Sequence, residues 1–190
     1  NVTVVIRSVH ERTEALCVQL IREQEVAEQD IFLIHATPFS AALHQAYQTG
    51  IRQNKKWTLC VDADVLLRPG IIAELLQLAE RMPAHVFETQ GRILDYLFGG
   101  PKEGGIHLYR TSLLSKALPY TEEALYEKRP ENFIMRKMKD AGYPFQRLHL
   151  VVGLHDFEQY YRDIFRKSFV HAYKHTKYIP LLLAYWKKNA

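Results

Sequence analysis

Trp57-Thr58-Leu59-Cys60-Val61-Asp62-Ala63-Asp64 is a short apolar run that stops abruptly at two carboxylates spaced two residues apart. In extended backbone, residues i and i+2 share one side and lie about 6–7 Å apart. Like charges at that spacing repel by roughly 2 kcal/mol at an effective dielectric of about 20. A divalent cation beside them removes that cost, and Asp-x-Asp at a strand end is a pattern with which Mg2+ or Mn2+ holds a diphosphate. Alone, the same pattern describes two solvated acids. The surrounding chain decides.

Upstream, residues 2–6 (V-T-V-V-I) are β-branched and apolar, which predicts a buried strand, with Arg7-Ser8-Val9-His10-Glu11-Arg12 as its exit loop. Leu16 with Leu20, and Cys17 with Ile21, set the apolar face of a following helix. Residues 31–34 read as a second strand, and Pro38 with Ser40 opens a helix over 41–53. Residues 57–61 are the third strand; Arg68-Pro69-Gly70 is a turn into an amphipathic helix over 71–82. Strand then helix, three times over, predicts a doubly wound parallel sheet. Such sheets bind ligands outside the carboxyl ends of their strands. Residues 7–12, 35–37 and 62–64 all fall at those ends, which favours the cation reading of the acids.

Past Met82 the periodicity weakens. Residues 84–88 read as a strand, 99–105 as a flexible loop, 106–109 as a strand, and 131–141 as a helix closed by Ala141-Gly142-Tyr143-Pro144. Residues 145–152 read as a further strand, 153–156 as a turn, and the remainder as one long helix. No internal repeat, low-complexity run or linker interrupts the 190 residues, which suit one domain.

Hydrophobic residues at 47% and charged residues at 24% are ordinary globular values. Nothing reads as a signal peptide, and the late apolar run 179–186, interrupted by Pro180, is far shorter than the ~20 residues of a membrane span. Beginning at Asn1 instead of Met, the chain reads as a fragment or a trimmed or processed product. Cys17 and Cys60 sit in apolar contexts and are expected to be reduced core residues of a cytoplasmic protein. The net charge of +4 belongs to the end of the chain, where residues 157–190 hold seven Lys/Arg against two acids. These alternate with Tyr160, Tyr161, Phe165, Phe169, Tyr173, Tyr178, Tyr185 and Trp186, a mixture suited to a membrane surface, a nucleic acid, an anionic substrate, or packing on the domain itself.

Taken in order, V-T-V-V-I (2–6), the loop containing E-R, and L-C-V-D-A-D-V-L-L-R-P-G (59–70) resemble a family 2-type glycosyltransferase of the GT-A fold. The likeness continues through G-G-I-H-L-Y-R (104–110), P-E-N-F-I-M-R-K-M-K-D-A-G-Y (130–143) and G-L-H-D (153–156), and so covers most of residues 2–156. It implies a Rossmann-like, mostly parallel sheet flanked by helices: a GT-A domain over 1–156, with 157–190 as a basic-aromatic helical extension packed on it. It further implies transfer of a sugar from a nucleoside-diphosphate donor to a carbohydrate, lipid or protein hydroxyl, assisted by Mn2+ or Mg2+. Asp64 is then the direct metal ligand, Asp62 binds the donor ribose or the metal through water, and His155 completes the metal shell. Arg7, Glu11 and Arg12 lie where the nucleotide would rest, and Glu131 is the expected base of an inverting transfer.

Two positions depart from the family pattern. His35-Ala36-Thr37 stands in place of the usual acidic pair that reads the base, and Pro130 replaces the acid that often precedes the catalytic one. A retaining enzyme and a nucleotide-binding module without turnover therefore stay open. So does a haloacid-dehalogenase-like phosphatase with Asp62 as nucleophile, although no later strand ends in paired acids. The His171-x-x-x-His175 spacing lacks the Glu and third ligand of a zinc site. No phosphate-binding glycine loop follows any strand, and no nucleic-acid partner is expected.

Overall fold

The computed structural model describes residues 1–174, 176 and 179–189. Val2–Ser8 (β1), Ile31–His35 (β2) and Trp57–Asp62 (β3) form the expected parallel core, with β1 between the other two. Along them, successive side chains point to opposite faces. Val2, Val4, Ile6, Trp57, Leu59 and Val61 enter one apolar layer with Cys17, Ile21, Ile71 and Leu75. Val5 and Cys60 enter the other with Leu43, Tyr47, Leu114 and Ile134. Helices Glu14–Arg22 (α1) and Ile71–Glu80 (α3) thus cover one face. Phe39–Gln53 (α2), Thr111–Glu123 (α4) and Pro130–Asp140 (α5) cover the other. Cys17 and Cys60 are buried free thiols, and burial pushes the Cys60 thiol up to about 12.

The sheet continues beyond β3 as Ile106–Arg110 (β7), Glu88–Asp95 (β5), Phe145–His155 (β8) and Val65–Leu67 (β4), with Gly100–Glu103 (β6) paired to β5. β7 runs antiparallel to both β3 and β5, whereas β8 runs parallel to β5. Several local expectations change here. The strand expected at 84–88 starts only at Glu88, because Pro83 and Val86 close a turn ahead of it, with Val86 N donating to Pro83 O at 3.0 Å. The loop expected at 99–105 contains β6, whose backbone pairs with β5 from Gly100↔Asp95 to Glu103↔Arg92. The turn expected at 153–156 is instead the end of β8, because β4 supplies it with a second partner strand. Helix α4, which contains Pro119, carried too weak a pattern to be read.

The single long helix expected at the end is two, Tyr161–Lys174 (α6) and Ile179–Asn189 (α7). Their contacts with the rest, and those of the turn leading into them, include Gln159 Nε2 to Thr13 Oγ1 at 2.8 Å and Trp186 Nε1 to the Leu97 carbonyl at 2.9 Å. His175, half of the His171–His175 pair, lies outside the described residues. Among those described, no helix is long and apolar enough to cross a membrane.

Candidate active site

The Asp62-Ala63-Asp64 segment turns sharply out of β3 and enters β4. Its turn is tied down on several sides: Ala63 N donates to Arg7 O at 2.9 Å, Thr13 Oγ1 donates to Ala63 O at 2.9 Å, and Asp62 N donates to Gly105 O at 2.9 Å. Gly105 has φ +73, and a Cβ there would meet Val65 at 2.6 Å, so only glycine fits under this turn. The two carboxylates consequently leave on different sides, into two separate ion-pair groups.

The inner group is set by strand register. β1 and β3 place Arg7 opposite Asp62. Arg7 is 3% exposed; its Nε donates to Asp62 Oδ1 at 2.9 Å, and its Nη1 donates to Glu131 Oε1 at 2.5 Å. Glu131 occupies the first turn of α5 behind Pro130, a position favoured by the helix dipole. From β7, His107 donates from Nδ1 to Glu88 Oε1 at 2.7 Å, and its Nε2 lies 3.2 Å from Glu131 Oε2. Burial opposes charge on His107, yet Glu131 and Glu88 on either side raise its pKa to about 10. Burial would likewise raise Glu131, but Arg7 and His107 overcome it and hold the carboxyl at about 2. Asp62 moves the other way, to about 6: burial raises it most, and Asp64 and Glu131 add to that against Arg7.

The outer group gathers four elements. β4 pairs with the end of β8 in the register Val65↔His155, which sets the imidazole beside Asp64. Gly153 makes this possible, since a Cβ there would lie 2.1 Å from the Leu66 carbonyl oxygen. His155 Nδ1 lies 2.7 Å from Asp95 Oδ2 and 3.2 Å from Asp156 Oδ2, while Nε2 lies 3.5 Å from Asp64 Oδ1. Lys102 pairs with Asp95, and Lys167 of α6 bridges Asp64 Oδ2 and Asp156 Oδ1. Burial opposes the charged forms of Asp64 and Asp95, but their partners, His155 foremost, hold both carboxyls below the ordinary range.

One ligand atom each from Asp64, His155 and Asp156 lies within 4.8 Å of the others. Asp64 Oδ1 and Asp156 Oδ2 are buried and accept no hydrogen bond. A hard divalent cation suits oxygen donors of this kind. Asp95 holds His155 Nδ1, as carboxylates commonly hold the rear nitrogen of a metal-binding imidazole, and leaves Nε2 toward Asp64. The donor set fits Mn2+ or Mg2+.

The sequence-derived candidates thus separate. Asp62, Asp64, Glu131 and His155 line one cleft of about 1020 Å3, together with His107 and Lys167. Arg7 lies beneath it, paired to two carboxylates. Glu11 and Arg12 do not line it: the Glu11 carboxylate accepts from Ser8 Oγ and Val9 N, and the Arg12 guanidinium lies 5.9 Å from the centre of the Tyr160 ring. His35, at the end of β2, pairs with Glu14 at 2.8 Å and stacks on His10 at 4.2 Å. Sequence reasoning missed Glu88, Asp95, His107, Asp156 and Lys167. Asp156 and His107 stood inside quoted motifs, whereas Asp95 and Lys167 carried no local signal.

No protein-family model and no curated protein matches the chain. Solved structures do. A mannosyltransferase from Pyrobaculum calidifontis, in complex with GDP-Man and Mn2+, is 13% identical with a TM-score of 0.59, covering 96% of this chain and 68% of its own. A glycosyltransferase involved in glycosylation of the major capsid of PBCV-1 is 10% identical with a TM-score of 0.54, over 77% of this chain and 81% of that one. The 2-C-methyl-D-erythritol 4-phosphate cytidylyltransferase of Thermus thermophilus is 11% identical with a TM-score of 0.53, over 90% and 99%. The chain has the nucleotide-diphospho-sugar transferase-like fold that GT-A glycosyltransferases share with nucleotidyltransferases.

Proposed function

We propose that this chain is a metal-dependent glycosyltransferase, taking a sugar from a nucleoside-diphosphate donor and passing it to a hydroxyl group. One observation carries the reading: Asp64, His155 and Asp156 each bring a ligand atom within 4.8 Å of the others, and two buried carboxylate oxygens there, Asp64 Oδ1 and Asp156 Oδ2, accept no hydrogen bond. Asp64, His155 and Asp156 would hold Mn2+ or Mg2+, which when bound offsets charge on the departing diphosphate. Asp62, partly exposed on the cleft, faces the donor's ribose. Glu131, kept ionised by Arg7 and His107, is in this reading the group that takes the acceptor's proton, as an inverting transfer requires. Its low pKa makes it a weak base until that pairing loosens. The fold neighbours support the reading, since two are glycosyltransferases and one was solved with a nucleotide-sugar and Mn2+.

Residues 157–190 belong, in this proposal, to the same domain. Tyr161, Phe165 and Phe169 are 92%, 75% and 74% exposed along one face of α6, beside exposed Arg162 and Arg166. That face suits peripheral contact with an anionic membrane, where a lipid-linked acceptor would be presented.

Donor hydrolysis tests the assignment. Incubated with a panel of nucleotide-sugars and Mn2+, the wild type is expected to release nucleoside diphosphate from one of them, and Asp64→Ala is expected to lose that release. If no donor is turned over while one still raises the melting temperature with Mn2+, the chain is a binding module.

A further inference from the structure

We propose that Lys167 is a donor-binding residue, whose ammonium holds the cation position between Asp64 and Asp156 until a divalent ion arrives and then moves to the donor's diphosphate. The proposal rests on the metal-site reading above. Lys167 points inward from α6 while Phe165, Arg166 and Phe169 around it face solvent. It contacts Asp64 Oδ2 and Asp156 Oδ1, one oxygen of each carboxylate. The other oxygen of each is the one left without a hydrogen-bond donor beside His155. Lys167 therefore already does for these carboxylates part of what a cation would do.

A divalent ion bound to the same pair repels the ammonium at close range. The lysine stem has four rotatable carbons, so Nζ can leave without moving the helix backbone. Lys167 lines the same cleft as Asp62 and Glu131, so it swings within the donor site and not out of it. An ammonium that has lost two carboxylates in a recessed site needs a new anion, and a diphosphate beside the ion supplies one. Metal and diphosphate should then bind cooperatively, each strengthening the other by the same factor.

Two measurements test this, with Mn2+ alone and inorganic pyrophosphate as probes. In the wild type, reductive methylation of Lys167 read by mass spectrometry should be slow without additions, faster with Mn2+, and slow again with Mn2+ and pyrophosphate. In Lys167→Gln, Mn2+ alone should bind more tightly, while pyrophosphate at saturating Mn2+ should bind about tenfold or more weakly, the loss of one charge-assisted contact. Labelling that stays slow when Mn2+ binds overturns the proposal without depending on any variant's fold. Unchanged pyrophosphate affinity in K167Q, with both proteins taking up Mn2+, overturns it while leaving the metal site standing. If neither protein takes up Mn2+, the metal site fails and the proposal fails with it.

Discussion

The inner and outer ion-pair groups begin two residues apart in the chain, at Asp62 and Asp64, yet they are built in opposite ways. The inner cations, Arg7 and His107, sit on β1 and β7, hydrogen-bonded strands on either side of β3, in registers that place them opposite Asp62 and Cys60. The outer group keeps one register-set member, His155 on β8, but its lysines, Lys102 and Lys167, come from the β6 hairpin and from α6, elements outside the parallel core. A cation fixed by sheet register cannot leave without unfolding the sheet. A lysine at the end of a long stem can. On the proposals above, the inner group holds Glu131 and Asp62 in place, and the outer group exchanges one cation for another.

The sharpest way to break this contrast is at Asp64. Asp64→Asn should reduce donor turnover by about a thousandfold or more, the scale of losing a principal electrostatic stabiliser, and abolish Mn2+ uptake. Turnover assays paired with Mn2+ binding check it; retained Mn2+ uptake would move the metal elsewhere. At Arg7 the expected effect is on folding. Arg7→Met leaves Asp62 and Glu131 without their buried partner and should cost on the order of 3–5 kcal/mol in urea unfolding. A cost near that of a surface substitution would show that Arg7 is not the anchor of the inner group.

Glu131→Gln removes the proposed proton acceptor but keeps its shape. Turnover should fall by roughly a hundredfold or more, with Mn2+ binding unchanged. Equal losses in both would merge the two groups into one. The smallest effect concerns pH. The His107 pKa rises from 6.5 to about 10 on folding, so its stabilising contribution is complete below pH 6.5 and disappears as pH climbs through 10. Unfolding free energy should therefore decline between pH 7 and 10, and the decline should flatten in His107→Gln. Glu131 supplies the acid limb, its contribution being present above 4.5 and lost as pH falls through about 2.

The sequence-derived candidates that line the cleft share one property: each sits where a local pattern ends. Asp62 and Asp64 end an apolar run, Glu131 opens a helix behind a proline, and His155 follows the glycine that lets β4 approach. Glu11 and Arg12 also ended a strand, but their loop folds back on Ser8 and Tyr160, and nothing local distinguishes that course from one facing a ligand. Asp95 and Lys167 belong to segments whose importance comes from partners 60 and 103 residues away. Strand pairing across β5, β8 and β4, and the return of α6 over the cleft, bring them in.

Apolar periodicity and turn chemistry act over a few residues, and they suffice for the alternating strands and helices, the two-faced core and the position of Asp62-Ala63-Asp64 at a strand exit. The tertiary structure alone decided that Asp62 and Asp64 part company. Their neighbours, Arg7 and Glu131 on one side and His155, Asp156 and Lys167 on the other, are fixed by register and by packing between distant segments, and no local pattern encodes either.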